Sequence, residues 1–274
     1  MTTGSSQRFV RRFDAFDRLL HGFLMLSFLG LAATGLPLLF SDETWARTMA
    51  RWVGSFEVAG WLHRVCATLL IAVFAVHLGR IAKRLMRRDF GVLWGPRSMV
   101  PQPRDLRDLI AHFKWFLGRG PRPRFDRFTY WEKFDYWAVF WGMGIIGASG
   151  LLLWFPTFFA RVLPGWVFNV AMLVHGEEAL LAVGFIFTMH FFNGHLRPEK
   201  FPMDTVIFTG RITEEEFRDE RPDEYDRLAR ADALENAFVS PPEPWLVRLG
   251  RTIGTIAVVA GLTLVAFILY AVLT

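Results

Sequence analysis

The sequence predicts an all-α integral membrane protein: a four-helix bundle with a fifth, C-terminal transmembrane helix. Three observations predict it. Of 274 residues, 53% are hydrophobic and 21% charged, more apolar than a soluble domain of this size. The apolar residues gather into five runs, each long enough for the roughly 20 residues a helix needs to cross the hydrocarbon core. The basic residues collect between those runs.

The first run, Leu19–Phe40, contains no Asp, Glu, Lys or Arg. It follows a polar, basic N-terminus without a cleavage-site pattern, so it reads as a retained helix rather than a signal peptide. The second, about Val58–Gly79, is broken only by Arg64. The third, Tyr136–Ala160, is charge-free. The fourth, about Trp166–Phe192, is interrupted by Glu177 and Glu178, and the fifth, Thr252–Thr274, is charge-free.

Between the second and third runs, residues 80–128 hold thirteen Lys and Arg against four acids, while the connections after runs one and three offer only Arg47, Arg51 and Arg161. The positive-inside rule therefore puts the N-terminus and the 80–128 segment in the cytoplasm and the C-terminus outside. The expected organisation is a bundle over 1–195 with an amphipathic cytoplasmic insert at about 83–128, a cytoplasmic connection at 196–251, and the fifth helix at 252–274. Asp105–Gly118 has helical amphipathic spacing and fits either a membrane interface or a surface helix. Glu214–Asn236 reads as a solvated, charge-rich tail. No internal repeat is evident.

Composition excludes some chemistry. The single cysteine, Cys66, permits no internal disulfide and no four-cysteine metal site, and there is no CxxCH for covalent haem. Cys66 reads as a small buried hydrophobe. The net charge of +5, distributed between apolar runs, fits a membrane surface rather than nucleic acid.

Five of the seven histidines fall within the apolar runs: His21, His63, His77, His175 and His190. Ionisable groups in a bilayer are costly and mark functional sites by default. His63 and His77 share the second helix at a spacing of 14, and His175 and His190 share the fourth at 15. Each pair lies on one helix face, about 21 to 22 Å apart along the axis. The two helices run parallel, so matching imidazoles stand at two depths. A haem iron takes two axial ligands, and imidazole serves well. The pattern predicts two b haems stacked across the membrane, with His63 and His175 outside, and His190 with either His77 or His21 inside. His195 serves a third haem, a quinone or a polar interface. His112 reads as an exposed surface histidine.

Arg64 is a candidate partner for haem propionates, with a salt bridge to Glu177 or Glu178 as the alternative. The glycines Gly30, Gly35, Gly142, Gly144, Gly147 and Gly150 allow close approach of a macrocycle or of another helix. At the cytoplasmic start of the third helix, Tyr130, Glu132, Lys133 and Asp135 offer the donor, proton relay and aromatic slot that a quinone needs. An aromatic belt with snorkelling charges explains the same residues.

The run RRFDAFDRLLHGF…ATGLP, the segment GWLHR, the EKFDYW start of the third helix, its LLLW end and LVHGEEALLAVGFIFTMHFF together resemble the cytochrome b (gamma) subunit of membrane-bound formate dehydrogenases. Hydrogenase and thiosulfate reductase cytochrome b subunits look similar. The resemblance covers roughly residues 8–195, by spacing more than identity. It implies a four-helix cytochrome b bundle with two b haems exchanging electrons with menaquinone near the cytoplasmic side. It maps the outer ligands to His63 and His175, the inner ligands to His21 and His190, and a quinone-contacting loop near Thr129–Lys133. His77 has no counterpart, the fourth helix spaces its histidines one residue wider, and residues beyond His195 lie outside the match. Members with such a tail resemble subunits that accompany periplasmic multihaem cytochromes.

The expected function is electron transfer across a bacterial inner membrane by a subunit of a respiratory oxidoreductase complex. Electrons pass through two b haems, or three, between menaquinone or ubiquinone and a periplasmic iron–sulfur or multihaem cytochrome c partner. The rivals are a haem-free transporter with an intramembrane His/Glu proton relay and a structural membrane anchor.

Overall fold

A computed structural model describes residues 7–201 and 203–273. Five helices among them are long and apolar enough to cross a membrane: α1 (Ala15–Leu39), α3 (Phe56–Met86), α5 (Tyr130–Trp154), α6 (Trp166–Phe185, continued to Leu196) and α9 (Pro244–Leu273). The chain is an all-α integral membrane protein. Each expected run is present, though α5 starts earlier and stops at Trp154 rather than Ala160, where Pro156 begins a separate turn and cannot donate to a continuing ladder. Thr274, the last residue of the fifth run, lies outside the described residues.

Helix α6 gives way to π-helical turns at Ile186–His190 and Phe192–Leu196. A π turn absorbs one extra residue without ending the helix. Between α1 and α3 lies the short α2 (Thr44–Val53).

The chain divides into two compact units: one of residues up to 18, 77–138 and 205–248, the other of 19–76, 139–204 and 249–274. The second unit is built from membrane helices. Its core joins Ala32 and Leu36 of α1, Val183 of α6, Phe187 and Phe191, and Ala257 and Leu264 of α9. Trp45 of α2 stacks on Phe267 at 5.0 Å. The outer faces of these helices are as apolar as the core, with Trp61, Leu181, Ile256 and Leu269 more than half exposed. A helix apolar all round needs lipid, not water, as its solvent.

The first unit is polar and contains a small sheet. Strand β1 (Phe9–Arg11) pairs antiparallel with β2 (Arg211–Thr213) on one side and β3 (Phe238–Val239) on the other. Helices α7 (Glu214–Glu220) and α8 (Pro222–Arg230) follow β2. Val10, Ile212 and Phe217 bury a core beneath them. The Glu214–Asn236 stretch is therefore folded, not a solvated tail. Its charges are spent on specific pairs. Arg12 binds Glu224, both almost fully buried, and Arg127 joins Glu224 at 3.1 Å. Arg12 and Arg127 each donate to the other's carbonyl at 2.7 Å. Burial, and then the neighbouring Arg221, hold the Arg12 guanidinium down at about 10. The amphipathic segment becomes α4 (Pro103–Phe116), with Leu106, Phe113 and Phe116 more than half exposed.

Candidate functional site

His63 of α3 and His175 of α6 face each other in the membrane-helix unit, ring centres 6.2 Å apart. Each imidazole is gripped from the neighbouring helix in the same way. On α1, Thr34 Oγ1 lies 3.1 Å from His63 Nδ1. On α5, Ser149 Oγ lies 3.2 Å from His175 Nδ1, with the Ile146 carbonyl at 3.1 Å. The Leu31 carbonyl plays the matching part for His63. A carbonyl accepting from Nδ1–H fixes the tautomer that leaves Nε2 as a free donor of its lone pair.

The next residue on each gripping helix is glycine. A Cβ at Gly35 would stand 2.9 Å from His63 Cε1, and one at Gly150 would stand 3.0 Å from His175 Cε1. The Cε1–Nδ1 edge of each ring comes close to a backbone position that carries no side chain. Gly30 similarly admits Cys66 Sγ. Gly142, Gly144 and Gly147 meet no side chain of another helix within 4 Å.

This symmetry exposes an internal repeat that contradicts the expectation of none. Helices α1 and α5 each have 25 residues and are displaced by 115 positions at both ends, Ala15 to Tyr130 and Leu39 to Trp154. The same displacement carries the capping residue Asp14 to Thr129, Asp17 to Glu132, Arg18 to Lys133, Thr34 to Ser149 and Gly35 to Gly150. Both helices open with side-chain caps: Asp17 N donates to Asp14 at 2.7 Å, and Thr129 N donates to Glu132 at 2.8 Å. ATGLPLLF (33–40) matches ASGLLLWF (148–155). His21 maps to Tyr136.

Helices α3 and α6 form the other half of the repeat. His63 maps to His175, and His77 maps to His190 with one residue added. The π turn Ile186–His190 holds that residue, which is why a spacing of 15 serves on α6 where 14 serves on α3.

The remaining histidines fall into two groups. In the membrane-helix unit, His21 has His190 and His195 as its electrostatic neighbours. His195 Nδ1 is buried and meets no hydrogen-bond partner. In the other unit, His77 Nε2 lies 2.9 Å from the Tyr136 hydroxyl. Exchanging the two halves of the repeat converts the His21 and His190 positions into those of Tyr136 and His77.

The other candidates are distributed as follows. Arg64 is exposed and makes no ion pair with Glu177 or Glu178; Glu178 instead accepts from Trp141 Nε1 at 3.2 Å. Tyr130 bonds His112 Nδ1 at 3.0 Å. His112, expected on the surface, is half-buried and stacks on Phe116 at 4.5 Å. Glu132 is the third-position acid of a capping box with Thr129 and also accepts from Arg221 at 2.9 Å. Lys133 is buried and paired with Asp105 at 2.9 Å. Asp135 is half-buried in the first turns of α5. Sequence reasoning missed Thr34, Ser149 and Tyr136. Their signal was the ATGL/ASGL match and the fixed offset of 13 back to His21 and Tyr136.

Among known proteins, no family model matches the chain and no curated protein is significantly similar to it.

Proposed function

We propose that the chain is the membrane cytochrome b subunit of a respiratory, quinone-linked oxidoreductase. The observation that carries this reading is the His63–His175 pair. A transition-metal ion bound by one nitrogen of each ring at about 2 Å needs ring centres roughly 6 Å apart. The observed 6.2 Å, with both Nδ1 atoms engaged by the facing helices, meets that demand. A metal ion on two imidazoles alone is under-coordinated; a porphyrin supplies the remaining four ligands.

His21 and His190 hold the second haem, because His77 is engaged by Tyr136. Arg64, exposed beside His63, pairs with a propionate of the first haem. Bound haem supplies reversible one-electron chemistry; the protein supplies axial ligands, their orientation and a dry path between leaflets. The N-terminus and residues 80–128 face the cytoplasm of a bacterial inner membrane by the positive-inside rule. Electrons run between menaquinone or ubiquinone on that side and a periplasmic iron–sulfur or multihaem cytochrome c subunit on the other.

The test is a pyridine-haemochrome assay with a dithionite-reduced spectrum on detergent-purified protein. Two b haems per chain are expected. None, in folded protein expressed with adequate haem supply, overturns the reading and leaves the His/Glu proton-relay transporter standing.

A further inference from the structure

We propose that Tyr136 and His77 form the proton-exchange site for the quinone. This inference rests on the cytochrome reading above and adds to it a site that the histidine pattern alone does not give.

The repeat supplies the first argument. Tyr136 and His77 occupy the positions that correspond to His21 and His190. In one copy those positions carry two imidazoles, a ligand pair for a metal. In the other, a phenol has taken the place of one imidazole. The phenol bonds the remaining imidazole directly, at 2.9 Å. Where the cytochrome reading puts a ligand pair in one copy, the other copy holds a hydrogen-bonded pair at the same helical register. A phenol hydroxyl both donates and accepts, which is what a quinone carbonyl and a quinol hydroxyl require in turn.

The second argument is the route to water. One turn beyond His77, Arg80 pairs with Asp17 at 2.8 Å and with Asp14 at 3.7 Å. Arg80 and Asp17 both lie within electrostatic range of His77, and both are substantially exposed. The imidazole therefore stands one helical turn from a partly exposed Arg80–Asp17 ion pair. The third argument is access for a lipid-soluble substrate. Leu78, next in sequence to His77, and Trp137, whose ring centre lies 6.1 Å from that of Tyr136, are 41% and 40% exposed, an apolar edge in a membrane-spanning segment.

Oxidation of one quinol gives two electrons to the haems and releases two protons. For each proton, the quinol hydroxyl gives its hydrogen to Tyr136 Oη while the phenol passes its own to His77 Nε2. This uses the tautomer protonated at Nδ1. The imidazolium then discharges past Asp17 to the aqueous phase. Two passes match the two electrons, and quinone reduction runs the same shifts backwards. The loop residues Tyr130, Glu132 and Lys133 are in this account structural, since each is committed to His112, to Thr129 and Arg221, or to Asp105.

The test uses the purified full-length haem protein and the variants Tyr136→Phe and His77→Asn, with duroquinol as reductant in a stopped-flow assay. The parent chain is first assayed for haem, so failure of the cytochrome reading is seen before the variants are compared. Both variants are expected to retain the parent's haem content and dithionite-reduced spectrum. Haem reduction by duroquinol is expected to slow by about 10²-fold in each, the lower range for loss of a positioned acid–base group. Loss of a haem from either variant overturns the proposal, because it marks the pair as ligands or as structural supports. Unchanged duroquinol kinetics in both variants overturns it as well.

Discussion

At the scale of single residues, what distinguishes His63 and His175 from other membrane histidines is how each is held. An imidazole free to rotate in a helix bundle gains little as a ligand. Here the neighbouring helix presents a hydroxyl, a carbonyl and a missing side chain to each ring. Thr34→Val removes the hydroxyl near His63 while keeping the shape. Losing such an outer-shell partner costs about 10- to 100-fold in metal affinity or activity. On the proposed reading, Thr34→Val is expected to weaken or shift one of two haem signals in a redox titration and leave the other unchanged. Gly35→Ala is harsher. Its Cβ would stand 2.9 Å from a ring carbon, so the ring or the helix must move. The expected outcome is one haem per chain by pyridine haemochrome, with the same result for Gly150→Ala.

At the scale of the element, the π turn in the fourth membrane helix is the informative feature. The residue by which the His175–His190 interval exceeds the His63–His77 interval falls in this turn. An α-helix advances about 100° per residue, so adding one residue in regular helix swings everything beyond it to a new face. Two length variants follow from this. Deleting Thr188 removes a residue the π turn already holds in excess, and the protein is expected to keep both haems. Inserting alanine after Val183 adds a second excess residue, and the inner haem is expected to be lost. Haem stoichiometry of the two purified variants separates them.

At the scale of the whole molecule, the two units are stabilised by different physics. The membrane-helix unit packs apolar side chains and small residues in a solvent that is itself apolar. The polar unit depends on buried charge. Removing one partner of a buried ion pair typically costs about 3 to 5 kcal/mol, because the other charge is left uncompensated. Glu224→Ala leaves Arg12 and Arg127 in that position. It is expected to open the segment 205–240 to limited proteolysis while the haem spectrum persists.

The same unit carries a pH dependence whose sign can be stated. Hydrogen bonding from Arg8 holds the Glu214 carboxyl below its ordinary range. A carboxyl with a lowered folded-state pKa stabilises the fold above its unfolded pKa, about 4.3 for glutamate. That contribution is lost as pH falls through the lower folded value. The protection factors of the β1 and β2 amides, with the intrinsic pH dependence of exchange divided out, are therefore expected to be flat between about pH 5 and 8 and to fall below about pH 4.

The membrane class, the five spans and the intramembrane histidines were legible in the sequence, because lipid imposes length and composition rules on single segments. The paired spacings on α3 and α6 were legible too, since a helix's period is a local property. Partner choice was not. His21 and His77 both competed for one place beside His190, and only the packed helices show His77 bound to Tyr136 and His21 in electrostatic range of His190 and His195. The repeat was written in ATGL and ASGL, but its meaning required seeing that Thr34 and Ser149 touch equivalent rings. The stretch Glu214–Asn236 looked like a solvated tail because the charges that anchor it pair with distant residues. Arg127 and Asp126 lie 97 and 101 residues from their partners in this stretch, and Arg12 lies at the far N-terminus. A sequence records which side chains can pair; only the folded chain, by fixing which are near, decides which do.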